Sequence, residues 1–216
     1  MLTLYDNWDS GNGYKVRLTL AHLGTPYRLV DLDTDGGETR TPAFLAINPN
    51  GKIPAVVFED GRTLFESNAI ICYLAEGSSL LPHDRFARAK VLQWLFFEQY
   101  SHEPQVAVAR YIHRHLPESH ARHAELPVRI ENGNKALGVM DQHLRSRAFM
   151  VGNAFSVADI ALYAYTHVAG QGGFDLGLFP AVQAWCARVA RQAGHVPMLD
   201  GPMLDGPMLD GPPAAD

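Results

Sequence analysis

The chain has 216 residues, 47% of them hydrophobic, and a formal charge of −5 with acidic and basic residues interspersed. That supplies cores for one large domain or two small ones, and it leaves no basic footprint for nucleic acid or an anionic membrane. No run nears the roughly 18 apolar residues of a membrane span, the start Met1–Asp6 lacks signal-peptide character, and Cys72 and Cys186 form no C-x-x-C pair or disulfide framework, so the expected setting is cytoplasmic.

Residues 2–5 read as a strand and 14–23 as a helix with Val16, Leu20 and Leu23 on one side, stopped by Gly24-Thr25-Pro26. Residues 27–32 read as a second strand, completing a β-α-β unit with a parallel crossover. The stretch 35–47 is Gly-rich, then weakly helical, and is expected to form a mobile lip. Next come Asn48-Pro49-Asn50-Gly51-Lys52-Ile53-Pro54, a strand over 53–58, the turn Glu59-Asp60-Gly61-Arg62 and a strand over 63–65. X-Pro is the one peptide bond at which cis is readily accessible, and Ile53-Pro54 at a strand entrance suits it. A cis bond there turns the N–H and C=O of Ile53 toward an extended ligand backbone.

Glu66-Ser67-Asn68-Ala69-Ile70 opens a helix over 67–76. Ser67 and the first N–H groups of that helix can hold a carboxylate at the positive end of the helix dipole, and Glu66 can hold an α-ammonium. Together the two motifs describe a pocket for a small zwitterionic peptide.

Residues 78–84 form a Gly/Ser/Pro linker, after which no convincing strand follows. Helical spacing runs from 85 to about 116, with Pro104 as a kink or break, then from Pro127 to about 147, and finally from 180 to 193. Phe155-Ser156-Val157-Ala158-Asp159-Ile160 is a helix start: Ser156 caps, Asp159 sits at the third position, and Phe155 staples against Ile160. The reading is therefore α/β followed by all-α, with domains over 1–77 and 85–197. Residues 198–216 hold three repeats of Met-Leu-Asp-Gly-Pro, where Pro in every repeat forbids helix and disorder is expected. Ten histidines, including His120 and His123 on one possible helix face, gather no completing carboxylate or cysteine set, so no metal is expected. No Walker loop or G-x-G-x-x-G follows a strand, which removes nucleotide binding.

The Asn48–Pro54 and Glu66–Ile70 motifs at this spacing resemble those of the cytosolic glutathione transferase superfamily, over about residues 1–197. The resemblance implies a thioredoxin-like amino-terminal domain, an all-helical carboxy-terminal domain and a two-fold homodimer. It implies glutathione as co-substrate, its γ-glutamyl group on Glu66 and Ser67, its cysteinyl backbone on Ile53 beside Pro54, and its glycyl carboxylate near Lys52 and the lip residues Thr39 and Arg40.

The family's sulfur-contacting residue sits in the loop Asn7–Lys15, where Ser10 and Asn12 are the available donors. Ser10-x-Asn12-Gly13 is similar to the Thr-Pro-Asn-Gly of bacterial nu-class members and to serine-type theta members. Gly13 stands where related sequences often carry cysteine, so stabilisation of the glutathione thiolate is expected rather than chemistry on a protein sulfur. Lowering a thiol pKa by about two units corresponds to roughly 2.7 kcal/mol of differential stabilisation. The second substrate, a small apolar electrophile or a disulfide, is expected between the domains near Tyr100, His102, Glu103 and Tyr111, within an aromatic stripe that includes Phe96 and Phe97. The alternatives are the same scaffold binding ligands without turnover, or glutathione-dependent disulfide reduction as the main activity. In this family the Ser156–Asp159 pattern serves folding.

Overall fold

The structure, a computed structural model, describes residues 1–198. Its first half runs β1 (Leu2–Asp6), α1 (Gly11–Leu23), β2 (Tyr27–Asp31), a 3-10 turn at Glu38–Arg40, α2 (Pro42–Ile47), β3 (Ala55–Val57), β4 (Thr63–Phe65) and α3 (Ser67–Leu74). The sheet order is β2-β1-β3-β4. β1 and β2 pair in parallel with Leu4 opposite Leu29, whereas β3 runs antiparallel to both β1 and β4, with Val56 opposite Leu4 and Leu64. Alternation along β1 sends Leu2, Leu4 and Asp6 inward, toward Val16 and Leu20 of α1 and Ile70 and Ile71 of α3 in one apolar cluster. This is the thioredoxin-like α/β arrangement expected.

The second half contains only helices and turns: α4 (Arg85–Phe97), a π turn at Glu98–His102, α5 (Glu103–His115), a 3-10 turn at Ala121–Glu125, α6 (Leu126–Leu144), α7 (Val157–Thr166) and α8 (Pro180–Val189). Every residue of α7 is buried, and α7 packs on α1, so the apolar core is continuous between the halves. Among the described residues no helix is long and apolar enough to cross a membrane.

The boundaries differ from the sequence expectation in instructive places. α1 starts at Gly11 rather than Tyr14, because Ser10 Oγ caps it by accepting from Gly13 N at 3.1 Å. β3 is only Ala55–Val57, since the Ile53-Pro54 bond is indeed cis and the chain joins the ladder after it. The helix breaks near Pro104 as expected, with Pro104 in the first turn of α5, where its missing N–H costs nothing, and the π turn before it carries the irregularity. α8 ends at Val189.

Asp159 accepts from Ser156 N and Ser156 Oγ, both at 3.0 Å, and also from Met150 N at 2.8 Å and Trp185 Nε1 at 2.9 Å, joining α7 to α8. The Phe155 ring packs beside Phe149 and beside His22 of α1. Met198 rests against the core, and the remainder of the repeat lies outside the described residues.

Candidate active site

The turn before β3 is built by buried Asn48, whose Nδ2 donates to Lys52 O at 2.6 Å and whose Oδ1 accepts from Asn50 N at 3.0 Å. This small ring of bonds delivers Ile53 to the entrance of β3, where it lines three adjoining cavities. One, of 210 Å³, is walled by Asn12, Lys52, Pro54, Glu66, Ser67 and Glu103. A second, of 180 Å³, includes Ser10, Asp9, Arg110, Tyr111, His115 and Tyr165. The third and widest, of 630 Å³, includes Thr39, Arg40, Lys52, Glu103, Tyr111 and Tyr165. The structure thus brings the eleven residues Ser10, Asn12, Thr39, Arg40, Lys52, Ile53, Pro54, Glu66, Ser67, Glu103 and Tyr111 around one cleft between the two halves.

Glu66 is exposed and holds φ +69°, ψ 108°, the only non-glycine residue with positive φ among those described. Such a backbone costs a non-glycine residue on the order of 1–3 kcal/mol. Ser67, the first residue of α3, is buried; its Oγ accepts from Lys15 Nζ and donates to Asn12 Oδ1, each at 3.3 Å. The Ser67 side chain is therefore already engaged, which leaves the backbone N–H groups opening α3 as the donors for a ligand carboxylate.

Lys15 reaches this point from α1 and pairs with Glu98 at 2.9 Å, both side chains fully buried. Asn68 closes the network, accepting from Lys15 Nζ at 3.3 Å and donating to Glu98 Oε2 at 3.0 Å. Asn12 Nδ2 donates to Glu103 Oε1 at 3.3 Å. Burial pushes the Glu103 carboxyl up, against the pull of Lys15. A polar chain thus runs from the first helix of the sheet half to the start of α5, with Asn12 and Ser67 at the cavity.

In the second cavity Ser10 Oγ accepts from Gly13 N, so its proton is free to be donated to a ligand. Gly13 has no room for a side chain, since a Cβ there would strike the Asp6 carboxylate. A cysteine at this position would have to displace that carboxylate. Burial would raise the Asp9 carboxyl, but the hydrogen bond and charge of Arg110, with His115 and Arg114, hold it below the usual range.

Two expected residues stand elsewhere. Tyr100 is 87% exposed and lines a separate groove with Phe97, Gln105 and Val139. His102 is fully buried, with Nε2 2.9 Å from Thr166 Oγ1, and burial lowers its pKa to about 4. The reason is the π turn: a five-residue bond closure rotates the faces of α4 and α5 relative to one uninterrupted helix, so Glu103 and Tyr111 reach the cleft and Tyr100 does not.

Of the cleft residues that the sequence reading did not single out, Tyr165 and Arg110 touch the loop that carries Ser10. Tyr165 of α7 packs against Gly11, where a Cβ would come within 2.6 Å of its ring. Burial raises its pKa, so it remains a hydroxyl donor. Arg110 of α5 bonds the Asp9 carbonyl at 2.9 Å. Both lie more than ninety positions from the loop they touch, and no local pattern announces either.

The glutathione S-transferase N-terminal domain model matches residues 1–76 and the C-terminal domain model residues 100–193. The disulfide-bond oxidoreductase YfcG of Escherichia coli (strain K12) is 33% identical over 189 residues, covering 82% of this chain and 85% of that protein. The crystal structure of a glutathione S-transferase from Pseudomonas fluorescens Pf-5 is 53% identical, with a TM-score of 0.89 over 92% of this chain and 99% of that one. A glutathione transferase from Burkholderia graminis, solved with two glutathione molecules bound per subunit, is 29% identical with a TM-score of 0.79, over 89% and 85% of the two chains.

Proposed function

Since the chain belongs to the glutathione S-transferase family, we propose that it binds glutathione along Ile53 and activates its sulfur at Ser10 for attack on a second substrate in the cleft. One observation carries this reading: Ile53, preceding the cis-proline, borders the cavity of Glu66 and Ser67 and the cavity of Ser10 at once. A tripeptide extended along its backbone spans both. The γ-glutamyl carboxylate meets the N–H groups opening α3, the α-ammonium meets Glu66, and the glycyl carboxylate lies toward Lys52, Thr39 and Arg40.

A free thiol titrates near pH ~8.5, and the thiolate is the nucleophile. Ser10 donates to the developing anion, and Tyr165 stands close enough to assist. Two chemistries then use the same sulfur. Attack on an electrophilic carbon forms a C–S bond and expels the leaving group. Attack on a disulfide forms a mixed disulfide with glutathione and releases one thiolate, and a second glutathione thiolate displaces the other, leaving oxidised glutathione. The likeness to a disulfide-bond oxidoreductase and the 630 Å³ cleft, wide enough for a second peptide-sized partner, favour disulfide reduction as the main activity. Exposed Phe86, Phe96 and Tyr100 on α4 and its π turn favour a two-fold dimer covering them. The setting we infer is cytoplasmic.

Calorimetric titration with reduced and oxidised glutathione, followed at saturation by thiolate absorbance across pH, tests the reading. Binding with a lowered thiol pKa supports a glutathione enzyme. Absence of binding sinks the proposal and favours a scaffold without turnover.

A further inference from the structure

The loop that carries Ser10 has no regular structure of its own, yet its three consecutive carbonyls all accept from buried guanidinium groups. Arg17 of α1, 4% exposed, donates from Nη2 to Trp8 O at 2.9 Å and to Ser10 O at 3.5 Å, with its Nε on Asp6 Oδ2 at 2.9 Å. Arg110 of α5, also 4% exposed, donates from Nη1 to Asp9 O at 2.9 Å and from Nη2 to the Asp9 carboxylate. Its Nε is fixed on Gln171 Oε1 at 2.7 Å. One clamp comes from the sheet half and the other from the helical half.

We propose that Arg110 is a positioning residue for the sulfur site: it sets the Ser10 hydroxyl from the helical half, so thiolate stabilisation depends on how the two halves meet. The inference rests on the reading of Ser10 as sulfur donor. The planar fork matters, because it holds a carbonyl and a carboxylate of one residue simultaneously while its third nitrogen is anchored to Gln171. A lysine keeps the charge but not that geometry. Displacement of a catalytic group by about 1 Å costs on the order of a hundredfold in rate. The contacts of Glu66 and Ser67 with a ligand lie on the other side of Ile53 and are untouched by the clamp.

The test compares the full-length parent with Arg110→Lys, Arg110→Gln and Gln171→Ala. Three quantities are read: affinity for reduced glutathione by calorimetry, the pH dependence of bound-thiol absorbance, and kcat and KM with a small dialkyl disulfide. The expected result is a loss of about tenfold or more in kcat for both Arg110 variants, a raised thiol pKa, and a glutathione Kd within about threefold of the parent. Gln171→Ala, which frees only Nε, shows a smaller loss of the same kind and decides the matter if the Arg110 variants fail to fold. A Lys variant as active as the parent would mean that charge alone matters and overturns positioning, as does a Gln171→Ala variant unchanged in kcat and thiol pKa. A parent protein with no lowered thiol pKa overturns the Ser10 reading and the clamp with it; a lowered value that none of the variants moves overturns the clamp alone.

Discussion

Ser67 Oγ donates to Asn12 Oδ1 at 3.3 Å, so the motif that opens α3 and the loop that opens α1 share a hydrogen bond across 55 positions of sequence. The side chains expected to serve two ends of one ligand are therefore coupled before any ligand arrives. Residues within one hydrogen-bond network show interaction energies of about 0.5–3 kcal/mol. A double-mutant cycle on glutathione binding with Asn12→Ala and Ser67→Ala is expected to be non-additive by that order. Strict additivity would show that the bond carries no energy in the bound state.

Ser10→Ala is expected to lower kcat by about 10- to 100-fold and to raise the bound-thiol pKa, with little change in glutathione affinity; loss of its cap on α1 adds a stability cost of about 1 kcal/mol. Ser10→Thr keeps the hydroxyl and should retain most activity. Steady-state kinetics beside a thermal melt separates the two effects. Full activity in the alanine variant would move the sulfur donor elsewhere, with Tyr165 next to be tested as Tyr165→Phe.

Glu66 offers a trade between stability and binding. Glu66→Gly removes the carboxylate proposed for the α-ammonium and also relieves a positive φ that costs a non-glycine residue on the order of 1 kcal/mol. The variant should melt no lower than the parent while binding glutathione at least about tenfold more weakly, the worth of roughly 1.4 kcal/mol. A variant that melts lower and binds normally would reverse both assignments.

His102 gives the chain a measurable acid sensitivity. Burial holds its folded pKa at about 4, below the 6.5 of an exposed histidine, so the unfolded chain takes up this proton first. Its contribution to stability is complete above pH 6.5 and is lost as pH falls toward 4, by up to about 3 kcal/mol. His102→Gln keeps a partner for Thr166 and does not titrate. The stability difference between variant and parent should shift in favour of the variant between pH 6.5 and 4; a flat difference would show that His102 does not titrate abnormally.

Tyr100→Ala tests the consequence of the π turn. Because Tyr100 points into a groove away from the cleft, kcat/KM for any glutathione reaction should stay within about twofold of the parent when the variant is measured at high protein concentration. Tyr111→Ala, on the cleft wall, should change KM for the second substrate. The opposite pattern would return Tyr100 to the site.

The sequence by itself determined the features that a few neighbouring residues dictate. Ile53-Pro54 suited a cis bond at a strand entrance, Glu66-Ser67 a helix start, Ser10 a polar residue in a strand-to-helix loop, and Ser156-Asp159 a capped helix, because torsional preference and capping act over three or four residues. The order of α/β and all-α regions was legible for the same reason, from periodicity. Tertiary structure alone decided which side chains meet across the cleft. The Tyr165 ring reaches Gly11 and Arg110 reaches Asp9 across the two halves, contacts between residues too distant for any local pattern to encode. It also placed Tyr100 and His102 away from the cleft, because both lie in a π turn whose wider bond closure changes the faces they would occupy on an uninterrupted helix, a shift no local pattern announces.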